Sequence, residues 1–324
     1  MQFNSVMAMD VSVIICTRNR AASLDRTLAS LQEVTIPAGL SCEILVVDNG
    51  STDQTAKVVR KYSAARIPPW YVLESEPGLS RARNAGVAAS RGEIILFTDD
   101  DVVPAQDWLE RMGRPLLERE CDGAVGRIEL AKEVCRPWMT ESHKGGVAFF
   151  DGPGHRPLQF IGANMGVHRS VFERIPSFDP EIGAGALGFF EDTLFSWQLA
   201  EAGLRLRYIP EASVIHYPDP KRLLRRHCLS AGRMYGASKA YVIYHWRHEK
   251  VSFPWLRYCY YGLKLRLRRL LEPPPPLDAE GISPWEMTYV AEMENRRQFL
   301  IERRRPRNYS KRGLRKLAPQ ARPD

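Results

Sequence analysis

Three consecutive carboxylates, Asp99, Asp100 and Asp101, are the residues of this chain best suited to hold a cation. They follow residues 92–97, where branched and aromatic side chains predict a short buried strand. Unpaired like charges are costly to bury, so such a cluster must face water or bind a cation. A hard divalent ion that also bridges phosphate oxygens, Mg²⁺ or Mn²⁺, would suit these ligands. The alternative interpretation is a solvated acidic turn.

Polar residues also follow two other predicted strands. Residues 11–16 lead into the turn Thr17-Arg18-Asn19, and residues 43–47 end at Asp48. Strands that alternate with helices predict an α/β fold with a mostly parallel central sheet flanked by helices. Ligands of such sheets bind beyond the carboxyl ends of the strands. Thr17, Asp48 and the acidic triplet should therefore converge on one crevice.

A second pair of carboxylates, Glu191 and Asp192, begins a predicted helix that ends near Gly203. The pair follows a run of small residues, 183–188, where a backbone could approach a ligand closely. In this setting Asp192 suits a general base. The alternative is a helix cap that interacts favourably with the helix dipole.

Two short strands are predicted after this helix, an edge strand over residues 205–210 and another over residues 213–216. His216 lies at the end of the second strand and could bind the metal or a phosphate. A single histidine is more often structural, so this alternative stays open.

The middle of the chain, residues 102–160, is less regular. Trp108, Leu109 and Met112 indicate a helix at its start. The glycines of residues 145–154 mark a loop, which is either a lid or acceptor-binding segment or a surface loop without function.

The 324 residues carry a formal net charge of +8, and this charge is unevenly distributed. Residues 1–254 hold 30 Lys and Arg against 30 Asp and Glu, whereas the last 70 residues hold 16 against 8. A neutral body followed by a basic region suggests that the C-terminal region meets an anionic surface. We expect no membrane span, no signal peptide and no disulfide framework, which together favour a cytoplasmic protein.

Residues 255–271 are predicted to form a basic amphipathic helix. One side of the helical wheel is apolar, basic residues flank it, and Leu265 is the one misfit. The apolar members are Leu256, Tyr260, Leu263, Leu267, Leu270 and Leu271. Such a helix suits the interface of an anionic membrane, and the alternative is a helix packed on the body with its arginines in water.

The motifs, in this order and spacing, resemble family 2 of the glycosyltransferases, which have the GT-A fold. The resemblance covers about residues 10–220. It rests on residues 13–19, 46–53 and 78–86, and on Asp99-Asp100-Asp101, Gly162-Ala163-Asn164-Met165, Phe178-Asp179, Glu191-Asp192 and His216.

The resemblance implies a role for each matching residue. The expected ligands of the nucleotide sugar are Thr17, Arg18, Asn19, Asp48, Arg83, Asp99, Asp100 and Glu191. The expected metal ligands are Asp101, Asp99 and His216, with Asp101 the more direct ligand of the two carboxylates. Asp192 would be the catalytic base.

Three segments follow from this resemblance and from the charge pattern. Residues 1–220 would form the GT-A catalytic domain, and residues 221–272 a helical extension that contains the basic amphipathic helix. Residues 273–324 would form a Pro-rich spacer, a short helix near 285–303 and an Arg-rich tail. The tail lacks interleaved aromatic residues and any recognisable binding module, so we expect no nucleic acid partner.

The expected function is inverting, metal-dependent transfer of one sugar from a nucleotide-diphosphate sugar to a glycan or lipid-linked acceptor, as in polysaccharide biosynthesis. The Gln-x-x-Arg-Trp motif of processive synthases is missing, which favours transfer of a single sugar. One alternative is a non-catalytic nucleotide-sugar-binding subunit of a glycan assembly complex. Another is a nucleotidyltransferase, but Thr17-Arg18-Asn19-Arg20 is not the glycine-rich phosphate loop that such an enzyme needs.

Overall fold

The computed structural model describes residues 9–154 and 157–318. The strands are β1 (Met9–Thr17), β2 (Cys42–Asp48), β3 (Pro69–Leu73), β4 (Gly92–Asp99), β5 (Val102–Pro104), β6 (Gly123–Leu130), β7 (Asn164–His168) and β8 (Leu206–His216). The first seven helices are α1 (Ala21–Gln32), α2 (Thr55–Lys61), α3 (Leu79–Ala89), α4 (Trp108–Leu117), α5 (Glu141–Gly146), α6 (Val171–Arg174) and α7 (Glu191–Glu201). A 3₁₀ helix (Pro220–Leu223) precedes α8 (Arg225–His245), α9 (Pro254–Leu271) and α10 (Pro284–Glu302).

The described strands form one eight-stranded sheet in the order β3-β2-β1-β4-β7-β6-β8-β5. Four of the seven neighbouring pairs are parallel: β2 with β3, β1 with both β2 and β4, and β6 with β8. Strand β7 runs antiparallel to β4 and β6, and β5 runs antiparallel to β8. The predicted α/β fold with a mostly parallel sheet is confirmed.

Helices cover both faces of the sheet because its central strands bury both sets of side chains. Along β1, Val13 and Ile15 pack in one cluster with residues of α1 and α4. Ile14, which points the other way, packs in a second cluster with residues of α3 and α7. Successive side chains of a strand face opposite sides, so the continuous apolar run of β1 requires a layer of helices on each face.

The register of the parallel strands brings their polar ends to one level. Thr17 lies opposite Asp48 across the β1–β2 pair, and Cys16 lies opposite Asp99 across the β1–β4 pair. The carboxyl ends of β2, β1 and β4 therefore form a continuous polar edge, as the sequence predicts.

Two predictions about the later strands are wrong. Residues 205–210 and 213–216 are not two short strands but parts of one strand, β8, which lies inside the sheet between β6 and β5. Pro210 has no backbone N–H, so the pairing with β6 is interrupted after Ile209 and resumes at Val214. Strand β6 lies in the region that the sequence pattern left irregular.

A buried amide fastens the middle of the sheet to its neighbours. Asn164, the first residue of β7, donates from Nδ2 to the Arg127 and Ala212 carbonyls at 2.9 and 2.8 Å. Its Oδ1 accepts from the Trp108 indole at 2.8 Å. All polar atoms of this amide side chain thus have partners, and the motif residue Asn164 serves to brace α4, β6 and β8.

The C-terminal helices form a layer of their own. Helix α10 packs against α8 and α9, and a buried ion pair of 2.5 Å between Arg225 and Glu286 joins α8 to α10. The chain then returns to the α/β domain, where Lys316 pairs with Asp179 at 2.7 Å. Residues 319–324, the end of the expected Arg-rich tail, lie outside the described residues. The boundaries of the three predicted segments stay predictions.

Helix α9 presents its apolar side to the outside. Its only buried residues are Pro254 and Leu265, the misfit of the helical wheel. The predicted apolar members are all exposed, from 51% for Tyr260 and Leu267 to 82% for Leu271. The alternative prediction, a helix packed on the body with its arginines in water, holds in part: α9 packs on α10, but through Leu265 and not through the predicted apolar side. None of the helices in the described residues is long and apolar enough to cross a bilayer.

Candidate active site

The three predicted metal ligands lie together at the polar edge of the sheet. Ligand atoms of Asp99, Asp101 and His216 all lie within 4.8 Å of one another. Asp99 ends β4, and His216 ends β8, where it pairs with Val102 of β5 directly after the acidic triplet. The short strand β5 thus explains how a histidine more than a hundred residues away meets the carboxylates.

The protonation of His216 leaves one nitrogen available as a ligand. Its Nδ1 lies 2.8 Å from the Val147 carbonyl, which can only accept, so Nδ1 carries a proton. In the neutral ring Nε2 then holds a lone pair, and it faces Asp101 Oδ1 at 3.1 Å. Neither of these two buried atoms makes a hydrogen bond within the described chain. Two buried acceptors facing each other fit a site for a divalent cation.

Arg20 offsets part of the negative charge of the acidic triplet. Its guanidinium pairs with Asp100 at 2.7 Å and with Asp101 Oδ2, and Thr17 Oγ1 donates to Asp100 at 2.6 Å. Burial raises the pKa of Asp100 to about 7, although Arg20 opposes this shift. Burial, reinforced by Asp101, likewise raises the pKa of Asp99.

Asp101 behaves differently from its two neighbours. Burial acts to raise its pKa as well, but His216, whenever its ring is protonated, and Arg20 outweigh burial and lower the pKa. Asp101 is therefore the carboxylate of the triplet that stays ionised most firmly. Sequence reasoning did not assign a role to Arg20, and its only signal was a cation in the turn after the first strand.

The predicted nucleotide ligands of the first two strands build the loops of this edge. Asp48 is buried and accepts from the Ser51 N–H at 2.8 Å and from the Tyr71 hydroxyl at 2.7 Å. Asn19, with a left-handed φ of 54°, accepts from the Thr52 N–H at 2.8 Å. Their roles in nucleotide binding stay predictions.

Arg18 differs from these residues in the exposure of its side chain. Its side chain is exposed, whereas the neighbouring Thr17 is buried against the acidic triplet. Its expected contact with the nucleotide also stays a prediction.

The second pair of carboxylates lies in the first turn of α7. The chain enters this helix through Phe190, whose φ of 76° is left-handed. Asp192 is half-buried, and its Oδ2 accepts from the Gly162 N–H at 3.1 Å. Glu191 is buried and accepts from Arg83 Nη1 at 2.8 Å. The predicted base is thus exposed enough to meet a substrate, while its neighbour is part of a buried ion pair.

Arg83 connects the two groups of carboxylates. Burial acts to lower its pKa, but Glu191, Asp192 and Asp99 outweigh burial and raise it. A Cβ added at Gly162 would lie 1.9 Å from Arg83 Nη2, so a side chain at this position would displace the buried guanidinium. Arg83, which pairs with Glu191 next to the predicted base, therefore also lies within electrostatic reach of Asp99 in the acidic cluster.

Comparison with known proteins identifies the family. The model of glycosyl transferase family 2 matches residues 12–175, which is just over half of the chain. The chain belongs to glycosyl transferase family 2. Asp192, Glu191 and His216 lie beyond the matched residues, so their placement rests on the geometry described above.

Curated relatives in the family share parts of this chain. Glycosyltransferase AglE of Haloferax volcanii is 41% identical over 120 residues, which are 37% of this chain and 39% of the relative. The pre-mycofactocin glycosyltransferase of Mycobacterium tuberculosis is 31% identical over 242 residues, which are 71% of this chain and 47% of the relative. The chain spans less than half the length of these two relatives.

Solved structures share the fold. The mannosyltransferase PcManGT from Pyrobaculum calidifontis, solved with GDP-Man and Mn²⁺, has a TM-score of 0.52 at 20% identity and matches over 89% of this chain and 70% of its own. Residues 1–349 of Staphylococcus aureus TarS, solved with UDP, have a TM-score of 0.52 at 17% identity and match over 91% of this chain and 92% of their own. The expected GT-A fold of the family is confirmed.

The buried ion pair between Arg83 and Glu191 generates a pH-dependent prediction. We expect Arg83→Met to lower the free energy of unfolding by about 3 to 5 kcal/mol near neutral pH, because it leaves a buried carboxylate unpaired. Burial and Asp192 already raise the pKa of Glu191 to about 7 against the effect of Arg83, and the substitution raises it further. An acid whose folded pKa exceeds its unfolded value loses stability as pH rises between the two values.

The loss of stability in Arg83→Met should therefore be larger at about pH 8 than at about pH 5. Urea unfolding of wild type and variant at both pH values measures it. The double variant Arg83→Met/Glu191→Gln is the control, and its loss relative to wild type should be no larger at about pH 8 than at about pH 5, because it lacks the Glu191 carboxyl. An equal loss for Arg83→Met at the two pH values would contradict the buried pair as described.

Proposed function

We propose that this chain transfers a single sugar from a nucleotide-diphosphate sugar to a hydroxyl of a glycan or lipid-linked acceptor, with inversion at the anomeric carbon. The observation that carries this proposal is the cluster of Asp99, Asp101 and His216, whose ligand atoms lie within 4.8 Å of one another, together with Arg83, which interacts electrostatically with both Asp99 and the half-buried Asp192. Support also comes from the shared fold of neighbours solved with GDP-Man and Mn²⁺ or with UDP.

The donor half of the site would bind the nucleotide diphosphate. Asp99, Asp101 and His216 would hold Mg²⁺ or Mn²⁺, which when bound neutralises charge on the departing diphosphate as a Lewis acid. Arg20 and Arg83 add positive charge at this edge of the sheet. The expected contacts to base and ribose come from the ends of β1 and β2, namely Thr17, Arg18, Asn19 and Asp48, together with Asp100.

The acceptor half of the site would supply the base. A hydroxyl is a poor nucleophile until a base accepts its proton, and Asp192 is the carboxylate suited to do so. As the acceptor oxygen bonds to the anomeric carbon, the bond from that carbon to the diphosphate oxygen breaks, and the electron pair leaves with the diphosphate. One displacement of this kind inverts the configuration. The glycyl N–H of Gly162, which donates to Asp192 Oδ2, orients the carboxylate.

The surface of helix α9 supports the proposal that the acceptor lies at a membrane. Its exposed apolar stripe points away from Leu265, the residue that packs on the body. Arg257, Lys264 and Arg266 are exposed at the edges of this stripe. An apolar face bordered by cations complements the interface of an anionic bilayer. A peripheral position on the cytoplasmic membrane face would bring the crevice to a lipid-linked acceptor.

A non-catalytic nucleotide-sugar-binding subunit is the second candidate function. Such a subunit needs the donor half of the site but has no use for a base. The half-buried position of Asp192, its Gly162 N–H contact and its link through Arg83 to the acidic cluster favour the enzyme.

The catalytic proposal predicts the behaviour of Asp192→Asn. With a donor found by screening nucleotide sugars in the presence of Mn²⁺, we expect transfer to fall by about a hundredfold or more, because the acceptor proton loses its base. Donor binding measured by calorimetry should stay within about twofold, since the metal cluster is unchanged. EDTA should abolish transfer by the wild type.

Asp107→Asn is the matched control, because it removes a carboxylate on the surface and should leave transfer unchanged. Equal transfer by Asp192→Asn and wild type would refute the role of Asp192. Donor binding without turnover by the wild type would favour the binding subunit.

The membrane proposal predicts the effect of removing the α9 stripe. Replacing Leu256, Leu263 and Leu267 by serine should weaken binding to vesicles of phosphatidylglycerol and phosphatidylcholine by at least about tenfold, because the apolar area that enters the interface is lost. The matched control replaces three exposed leucines elsewhere, Leu73, Leu277 and Leu317, and should bind as wild type does. Co-sedimentation measures both, and equal binding by the two triple variants would argue against α9 as the anchor.

A further inference from the structure

The loop of residues 181–190 leads the chain into α7 and so determines where Glu191 and Asp192 lie. Backbone hydrogen bonds close the loop: the Gly188 N–H donates to the Gly183 carbonyl at 2.8 Å, and the Gly183 N–H donates to the Phe189 carbonyl at 3.2 Å. A Cβ added at Gly183 would lie 3.2 Å from the Glu191 side chain. Because the loop touches the first turn of α7, a shift of the loop would move that turn.

Two helices hold the loop from its sides. From the start of α3, the Leu79 N–H donates to the Ala184 carbonyl and Ser80 Oγ donates to the Ile182 carbonyl, each at 2.8 Å. From α8, the fully buried Ser238 accepts from the Phe189 N–H at 3.0 Å. These contacts fix the middle and the end of the loop.

The beginning of the loop is held by the end of the chain, residues 305–316, here named the C-terminal strap. Asp179, which is 4% exposed, accepts from the Tyr309 hydroxyl at 2.8 Å and from Lys316 Nζ at 2.7 Å. Two residues on, Glu181 accepts from Lys316 Nζ at 2.6 Å and from Asn308 Nδ2 at 2.9 Å. The strap therefore contacts both carboxylates directly before the small residues of the loop.

Because charged groups make this contact, the loop should keep its position only while the strap is in place. Burial acts to raise the pKa of Glu181, but Lys316 and Arg305 outweigh it and hold the pKa at about 2. Burial and Asp179 raise the pKa of Tyr309, so its hydroxyl keeps the proton that it donates. Without the strap, buried Asp179 would keep only the Tyr241 hydroxyl and the Glu181 N–H as donors, and half-buried Glu181 would lose the cations that face it, which favours movement of the loop toward water.

We propose that the C-terminal strap is a positioning element for the catalytic base: Tyr309 and Lys316 hold Asp179 and Glu181, and these fix the loop that places Asp192. The strap lies outside the matched family residues 12–175, so this role belongs to the C-terminal extension. The inference rests on the proposed function only in naming Asp192 the base. The contact between strap and loop stands apart from it.

The test compares wild type with the double variant Tyr309→Phe/Lys316→Met. The matched control is Arg315→Met, because Arg315 lies in the strap but donates to the Glu173 carbonyl. Lys316→Arg is the conservative variant that keeps a cation and should retain most of the activity. If the double variant does not fold, Tyr309→Phe alone carries the test, since it removes one hydroxyl and keeps the ring.

Two measurements compare the variants with the wild type. Hydrogen exchange followed by mass spectrometry should show faster exchange of residues 181–192 in the double variant, with residues 92–101 unchanged. In the transfer assay kcat should fall by between about tenfold and a hundredfold, because small displacements of a catalytic group are costly. Donor KM and the stoichiometry of nucleotide binding with Mn²⁺ should stay at wild-type values.

The outcomes separate this inference from the proposed function. Unchanged exchange in residues 181–192 would overturn the positioning role. A lower unfolding temperature with wild-type kcat per nucleotide-binding site would overturn it as well, since the strap would then only stabilise the fold. Absence of turnover by the wild type with every donor would contradict the proposed function, while the exchange result would still decide whether the strap holds the loop.

Discussion

Charge neutralisation at the end of β4 is the constraint on which this structure depends. Asp100 and Asp101 are buried there beside the half-buried Asp99, and Arg20 pairs with both buried carboxylates, while His216 Nε2 faces Asp101 and would share a bound cation with it. Arg20 and His216 come from the turn after β1 and from the end of β8. The sheet must therefore bring together three distant parts of the chain before the acidic cluster can be buried. The two acceptors left facing each other, on Asp101 and His216, are where a divalent cation fits.

A second charged contact extends this constraint to the catalytic half. Arg83 is buried and pairs with Glu191, and its pKa is also raised by Asp99 on the other side. One guanidinium thus interacts electrostatically both with a carboxylate that would bind the metal and with the helix that carries Asp192. Gly162 belongs to the same packing, since the guanidinium occupies the space that a side chain at this position would take. In the proposed mechanism, the donor and acceptor halves of the site would both adjoin the guanidinium of Arg83.

The strands that could be predicted were those marked by a local sequence pattern of apolar residues followed by polar ones. Apolar runs ending in polar residues identify β1, β2 and β4, and a parallel sheet requires their ends to meet, so the crevice followed from sequence. Strand β6 has a weak pattern because it begins Gly-Ala-Val-Gly, and the continuity of β8 was hidden by Pro210.

The partners of the charged residues were not predictable either. Arg20 and the strap act through contacts that only the folded chain creates. Leu265 was a misfit on the helical wheel because it is the residue of α9 that packs inward.

The central claim is that Asp99, Asp101 and His216 bind a divalent cation, and pulsed electron paramagnetic resonance of added Mn²⁺ tests it most directly. The nuclear modulation should contain a nitrogen signal from one imidazole, because His216 Nε2 faces Asp101 with no hydrogen bond. This signal should vanish in His216→Gln and persist in His227→Gln, which changes an exposed histidine. A spectrum without a nitrogen signal in the wild type, or with one that survives His216→Gln, would contradict the account.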